Sequence, residues 1–260
     1  NDHEQIRKTL SEAIKSKDKP VLIIGKTIMG KGLVDKDGIS FERKTSTHGM
    51  PVSEAGGSYE KSLANLGGDI SDPFRIFDDV INLYKKIVNQ KRKSAAEWKN
   101  RKAEWASLNG DLDQKLHMFY SGAIPEIDFK SIQHKENSAT RAASADVLSV
   151  LAKKIENMVV ASADLSNSDK TDGFLKNTKP FVKGDFSGAF LQAGVAELTM
   201  AAIMNGIALH GGIIPACGTF FVFSDYMKPA VRLACLMGLP VRYIWTHDAF
   251  RVGEDGPTHQ

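Results

Sequence analysis

The chain has 260 residues, of which 42% are hydrophobic and 25% are charged, the composition of a globular protein with one large or two ordinary domains. Its net charge of +3 argues against nucleic acid or a membrane surface as a partner. Cys217 and Cys235 lie in apolar runs without a CxxC spacing, which indicates buried thiols in a reducing compartment. The sequence contains no signal peptide and no apolar run of membrane-spanning length, so we expect a cytoplasmic protein.

The first predicted elements are a helix and a short strand. Apolar residues at four-residue spacing predict a helix over residues 5–15. A short apolar run at residues 21–25 (VLIIG) is typical of a buried parallel strand. The next segment, GKTIMGKG, resembles a phosphate-binding P-loop, but Gly32 replaces the Ser or Thr that binds magnesium, and the residues after it read as a loop. A nucleotide-binding module is therefore kept only as an alternative from another functional class.

The middle of the chain is predicted to be helical. Ser71-Asp72-Pro73 combines an N-cap residue with a first-turn proline, and an apolar stripe at helical spacing follows it. The basic residues 91–93 lie on the same predicted helix with glutamates nearby, which indicates a solvated face. Residues 118–137 lose the periodicity and are interpreted as a linker between a domain at residues 1–117 and another at residues 138–260. The helix at one end and the loop at the other suggest a piece of a longer protein.

From residue 138 onward, helices alternate with short apolar strands, which predicts an α/β fold with a parallel sheet flanked by helices. The predicted strands cover residues 158–163, 191–195, 213–223 and 241–245, and the predicted helices cover residues 140–155, 196–212 and 224–237. In such sheets the ligand crevice lies beyond the carboxyl ends of the strands. The polar residues that collect at this edge are Asp164, Ser168, Glu197, His247, Asp255 and His259.

Glu197 is the most informative of these residues. It occupies the first turn of a predicted helix that is apolar on nearly every face, and we expect such a helix to be buried. The nearest cations in the sequence, Lys183 and Lys228, are both distant. Two interpretations are open: a carboxylate that caps its own helix, or a buried carboxyl that holds a proton for proton chemistry.

Taken together, the motifs resemble those of transketolase, a thiamine diphosphate enzyme. They are Lys26-Thr27-Ile28 with Gly30, His48-Gly49, Ala139-Thr140-Arg141, Gly194-Val195-Ala196-Glu197 with Met204-Asn205-Gly206, GTFFVF at residues 218–223, His247-Asp248, and GEDGPTHQ at residues 253–260. The resemblance implies the pyrimidine domain of the thiamine diphosphate-binding fold, preceded by a strand–loop–helix remnant of a second α/β domain and a helical linker. It also implies the transfer of a two-carbon ketol unit from a ketose phosphate to an aldose phosphate, a step of the pentose phosphate pathway.

The resemblance assigns roles to individual residues. Glu197 matches the glutamate that contacts N1′ of the cofactor's aminopyrimidine ring, and His48 matches a residue over the cofactor and substrate, so both are assigned as catalytic. The residues implied to bind the cofactor are Glu197, Phe220, Phe223, Tyr226, Asp164, Lys26 and His48, with Phe223 stacked on the pyrimidine. The residues implied to bind the sugar phosphate substrate are Arg141, Ser168, His247, Asp255, His259 and His48.

The chain also departs from the family. The diphosphate and metal motif, GDG followed by Asn, does not occur in the sequence, so we assign no metal ligand and expect those of Mg²⁺ or Ca²⁺ outside this chain. Arg251 replaces a small residue, and Val195-Ala196 replaces a segment that often carries arginine. The family's active site lies between the subunits of a homodimer, and we expect this fragment to be inactive alone. The enzyme alternatives are a 1-deoxyxylulose-5-phosphate synthase-like protein and a split transketolase subunit completed by a partner chain.

Overall fold

The computed structural model describes residues 2–248 and 255–259. It divides the chain into two compact units, Asn1–Trp98 and Lys99–Gln260. Arg251 and the start and final residue of the GEDGPTHQ motif fall outside the described residues. Among the described residues, no helix is both long enough and apolar enough to span a membrane.

The first unit is built from helices and long loops. Its helices are α1 (His3–Ala13), α2 (Tyr59–Asn65) and α3 (Asp78–Leu108), of which α3 continues past the unit boundary. The sequence-predicted N-terminal helix is confirmed, and it begins earlier than expected because the Asp2 carboxylate accepts hydrogen bonds from the Glu4 and Gln5 amides, both at 3.0 Å. Between α1 and α2, the loop is held by Ser62, whose hydroxyl accepts from the Val34 amide at 3.0 Å.

Two predicted elements of the first unit are wrong. Residues 21–25 form no strand, and Leu22 is 85% exposed, because a parallel strand needs a neighbouring strand and this unit provides none among its described residues. The helix predicted from Ser71 begins only at Asp78, because the Asp69 carboxylate holds Ser71 in a turn through its amide (2.9 Å) and its hydroxyl (2.6 Å). The GKTIMGKG segment therefore lacks both the strand before it and the helix after it that a P-loop needs.

The second unit contains the parallel sheet that the sequence predicts. Its strands are β1 (Met158–Ser162), β2 (Phe190–Gln192), β3 (Ile214–Phe220) and β4 (Arg242–Thr246), arranged in the order β2-β1-β3-β4. All three strand pairs are parallel, with Val160 opposite both Phe190 and Ala216. The helices of this unit are α4 (Gly110–Ser121), α5 (Thr140–Lys154), α6 (Ser166–Asp169), α7 (Asp172–Leu175), α8 (Glu197–His210) and α9 (Ser224–Leu236).

The helices cover both faces of this sheet. All five residues of β1 are buried, and successive side chains of a strand point to opposite faces. One apolar cluster joins Val159 and Ala161 to α8 and α9, and the other joins Met158 and Val160 to α5 and α7. The structure therefore places α8, and the glutamate at its start, against the two inner strands of the sheet, β1 and β3.

Helix α8 is only half buried, which differs from the expectation that it is buried all round. Met200, Ala201 and Met204 are buried against the sheet. Leu198, Ile203 and Leu209 on its other sides are exposed. The expectation fails because α8 packs on the sheet and on α9, while no further layer of the described residues buries its outer side.

Candidate active site

The second unit has a cavity of about 590 Å³ beyond the carboxyl ends of its strands. Ala163 and Leu165 from the loop after β1 line it, together with the first turn of α8. Phe223 and Tyr226, which follow β3, and His259 complete the lining. This is the edge where a parallel sheet carries its ligand crevice, because loops from neighbouring strands meet there. Three elements and the 255–259 segment thus converge on one space.

Glu197 lies at this cavity with its side chain almost fully covered. The residue is 7% exposed and begins α8, which has Ala196 as its N-cap and no side-chain cap. Among the described residues, no backbone amide donates to the Glu197 carboxyl and no cation pairs with it, so the helix-cap interpretation is not supported. Glu197 lines the cavity, so a ligand there can supply the partner that the described residues do not.

Aromatic rings form a continuous stack beside the cavity. Phe220 ends β3, and the short turn Phe221–Phe223 brings Phe223 next to it with ring centroids 5.7 Å apart and planes 10° apart. Tyr226 continues the stack at 6.1 Å from Phe223, and His259 lies edge-on to Phe223 at 5.4 Å. Flat, partly covered rings next to a carboxyl suit a planar heteroaromatic ligand that is held by stacking and by one hydrogen bond.

Arg141 and His247 form a second polar group that adjoins the aromatic stack. His247 follows β4 in a left-handed conformation (φ 57°), and its ring packs on Phe220 with centroids 3.7 Å apart. Its Nε2 contacts Nη1 of Arg141, near the start of α5, and its Nδ1 lies 2.9 Å from the Thr246 hydroxyl. Burial lowers the pKa of His247, and the Arg141 cation lowers it further. A neutral imidazole beside a guanidinium can bind an oxyanion such as a phosphate.

The remaining sequence-predicted site residues are less closely grouped. Asp164 is exposed and Ser168 half-buried on the loop after β1, and Asp255 is exposed in the 255–259 segment. Lys26 and His48 are exposed residues of the first unit. The structure thus brings Glu197, Phe223, Tyr226 and His259 together around one cavity, with Phe220, His247 and Arg141 adjoining. The roles of all these residues stay predictions.

Sequence reasoning missed one buried acid near the cavity. Asp169 is 1% exposed and accepts hydrogen bonds from Ser162 and Thr171. Its sequence signal is the run of hydroxyl and carboxyl residues from Ser162 to Thr171 directly after a buried strand, a run in which Asp164 and Ser168 look equally suited to a site. Among the described residues, no group of three or more His, Cys, Asp or Glu side chains is arranged to hold a metal ion.

Two family models match the chain, and both belong to the same enzyme family. "Transketolase, thiamine diphosphate binding domain" matches residues 1–125, and "Transketolase, pyrimidine binding domain" matches residues 136–260. The chain belongs to the transketolase family. The Glu197 cavity and its aromatic stack lie within the part matched by the pyrimidine-binding domain of transketolase.

Individual transketolases agree with this assignment. The transketolase of Bacillus subtilis (strain 168) is 37% identical over 265 residues, covering 100% of this chain and 38% of the relative. The solved transketolase from Leishmania mexicana matches with a TM-score of 0.78 at 32% identity, again covering 100% and 38%. A transketolase from Pichia stipitis in complex with sedoheptulose-7-phosphate gives 0.75 at 30% identity with the same coverage. The chain therefore spans 38% of the length of these relatives.

Proposed function

We propose that this chain is the pyrimidine-side half of a transketolase active site, in an enzyme that moves a two-carbon ketol unit from a ketose phosphate to an aldose phosphate. The observation that carries the proposal is Glu197, which is 7% exposed, has no side-chain partner among the described residues and lines a cavity together with Phe223. The residues present fit an aminopyrimidine ring, because they combine one protonatable carboxyl with a flat aromatic surface.

Glu197 supplies the acid–base part of the site in this proposal. Thiamine diphosphate, when bound, supplies the nucleophilic carbon that accepts the ketol unit. The Glu197 carboxyl would form a hydrogen bond with the ring nitrogen N1′ and serve as its acid–base partner, and the low polarity of the cavity would keep that hydrogen bond strong. Phe223 would stack on the ring, with Phe220 and Tyr226 packed on Phe223, and we further assign Asp164 and Lys26 to cofactor binding.

The substrate side of the proposal rests on the charge and hydrogen-bonding capacity of the second polar group. Arg141 and His247 bind the sugar phosphate, because a guanidinium offers fixed paired donors to a dianion. Ser168 adds a hydroxyl to the same phosphate. We also assign Asp255, His259 and His48 to the sugar, with His48 acting as a catalytic residue over the reacting atoms.

The remaining half of the site lies outside this chain in our proposal. The Mg²⁺ or Ca²⁺ ion and the cofactor diphosphate would be bound by the part of a transketolase that this chain does not span, in a cytoplasmic homodimer with the active site between subunits. The chain alone would then be inactive. We retain residues 1–117, 118–137 and 138–260 as the proposed domain division.

The test is the exchange of the cofactor's C2 proton in the whole enzyme that contains this chain. Glu197→Gln should slow this exchange by about two to four orders of magnitude, the usual contribution of a positioned acid–base group. Glu156→Gln is the matched control, since Glu156 is exposed and pairs with Lys115 on the surface at 2.9 Å. Unchanged exchange in a folded Glu197→Gln enzyme that still binds thiamine diphosphate would refute the role of Glu197.

A further inference from the structure

Asp169 is a buried acid to which the proposed chemistry gives no role. Its Oδ1 accepts from the Thr171 amide at 2.8 Å and the Thr171 hydroxyl at 2.7 Å, and its Oδ2 accepts from the Ser162 hydroxyl at 2.7 Å. Burial raises the pKa of this carboxyl, while the three donors oppose the shift. All three bonds need an acceptor at Asp169, so an apolar side chain there would leave three buried donors unpaired.

The hydrogen-bond network of Asp169 has two arms, one through Ser162 and one through Thr171, and they lead in different directions. The Ser162 hydroxyl donates its proton to Asp169. The lone pairs of the same Ser162 oxygen can therefore accept from the Leu165 amide, at 3.2 Å. Leu165 lines the Glu197 cavity. The Thr171 arm leads away from the cavity into α7, where the Thr171 carbonyl accepts from the Phe174 amide at 2.9 Å. Of the two side-chain arms, the Ser162 arm is the one that reaches Leu165, whose carbonyl also accepts from the backbone amide of Asp169 at 2.8 Å.

The side chains of Asp169 and Thr171 have no room to move. They pack directly on the backbone of β3 at Gly218, where an added Cβ would lie 2.5 Å from Thr171 Cγ2 and 3.2 Å from Asp169 Oδ2. The loop that the network ties down contains Asp164 and Lys170 in the left-handed region, with φ of 68° and 67°. Such conformations persist only where surrounding contacts hold them, so this loop depends on the network for its shape.

We propose that Asp169 is a positioning residue of the Glu197 cavity: acting through Ser162, it fixes residues 163–168 as one wall of the space that receives the pyrimidine. The choice of thiamine diphosphate as the ligand rests on the proposed function. The fixing of the wall rests on the hydrogen bonds alone.

A pair of variants separates this role from a merely structural one. Ser162→Ala and Thr171→Val each remove one hydroxyl that donates to the same carboxylate, but only the first hydroxyl also holds Leu165. Ser162→Ala should raise the thiamine diphosphate Kd of the whole enzyme about fivefold, the effect of one net hydrogen bond, while Thr171→Val should leave it unchanged. The Leu165 amide should exchange its hydrogen faster in Ser162→Ala only.

A third variant tests the acid itself. In Asp169→Asn the amide oxygen can still accept from Thr171, and the amide nitrogen can donate to Ser162, whose oxygen can still accept from Leu165. This variant should therefore keep the cofactor Kd and the slow Leu165 exchange close to wild type, whereas Asp169→Leu should lose both.

The outcomes separate the two proposals. Equal effects of Ser162→Ala and Thr171→Val on the Leu165 amide would overturn the positioning role, whatever the enzyme binds. Failure of the wild-type enzyme to bind thiamine diphosphate would overturn the proposed function, while the exchange comparison would still decide the role of Asp169. If Ser162→Ala does not fold, Asp169→Leu supplies the decision, because slow Leu165 exchange retained in that folded variant contradicts the proposal.

Discussion

Gly173→Ala should strongly destabilise the second unit, because α7 lies directly against α5 at this residue. An added Cβ at Gly173 would lie 2.3 Å from the carbonyl oxygen of Ala145 and 2.7 Å from its Cα. Both are backbone atoms of a helix, so no side-chain rotation relieves the overlap and the helices must separate. Overpacking of this kind costs about 1–3 kcal/mol, and contact with backbone places Gly173→Ala at the upper end of that range.

Thermal unfolding followed by circular dichroism measures this cost. For a chain of this size, 1 kcal/mol corresponds to about 2–4 °C, so the melting temperature should fall by about 6–12 °C. Gly206→Ala is the matched control, because Gly206 lies within α8 with no heavy atom near the added Cβ. Alanine should raise stability there by about 0.5–1 kcal/mol through helix propensity. A melting temperature for Gly173→Ala at or above wild type would refute the close approach of α5 and α7.

Two further predictions concern single polar groups. Burial and the Arg141 cation lower the pKa of His247 in the folded chain below its usual 6.5. The unfolded chain therefore binds a proton at His247 more readily than the folded chain does. The stability that His247 contributes above pH 6.5 is lost as the pH falls. His247→Gln should flatten the pH dependence of the unfolding free energy just below pH 6.5 in urea titrations, and an unchanged slope would contradict this. Tyr243→Phe removes the 2.6 Å donor to Asn205 Oδ1 and should cost about 1–3 kcal/mol of unfolding free energy, because the buried amide oxygen loses its partner. A cost below the error of the denaturant titration would show that the bond contributes nothing net.

The second unit is predictable from sequence because its elements are marked locally. Each strand is a short apolar run, and each is followed by polar residues that leave the sheet at the same edge. This pattern alone is sufficient to place Glu197 and His247 near one crevice. The aromatic stack is also accessible from sequence, since Phe220, Phe223 and Tyr226 recur at three-residue steps.

The failures have a common physical origin in partners that are distant in sequence or missing. The run at residues 21–25 has the composition of a strand, but a strand exists only where another strand pairs with it. Pro73 follows a good N-cap residue, yet the Asp69 carboxylate accepts from the Ser71 amide and hydroxyl and forms a turn. In the sequence, Asp169 looks like any polar loop residue. Its burial depends on contact with Gly218 of β3, which is distant along the chain.

The pairing of β1 has a consequence for how this unit folds. Its partners are Phe190 of β2 and Ile214 of β3, both far along the chain from Val160 and Met158. No hairpin can nucleate the sheet, so a long loop must close before the first ladder bond forms. The helices can form from local contacts, but we expect the sheet to assemble late and slowly, as in other folds dominated by non-local pairing. Until α8 docks on the sheet, the first turn that carries Glu197 stays in water.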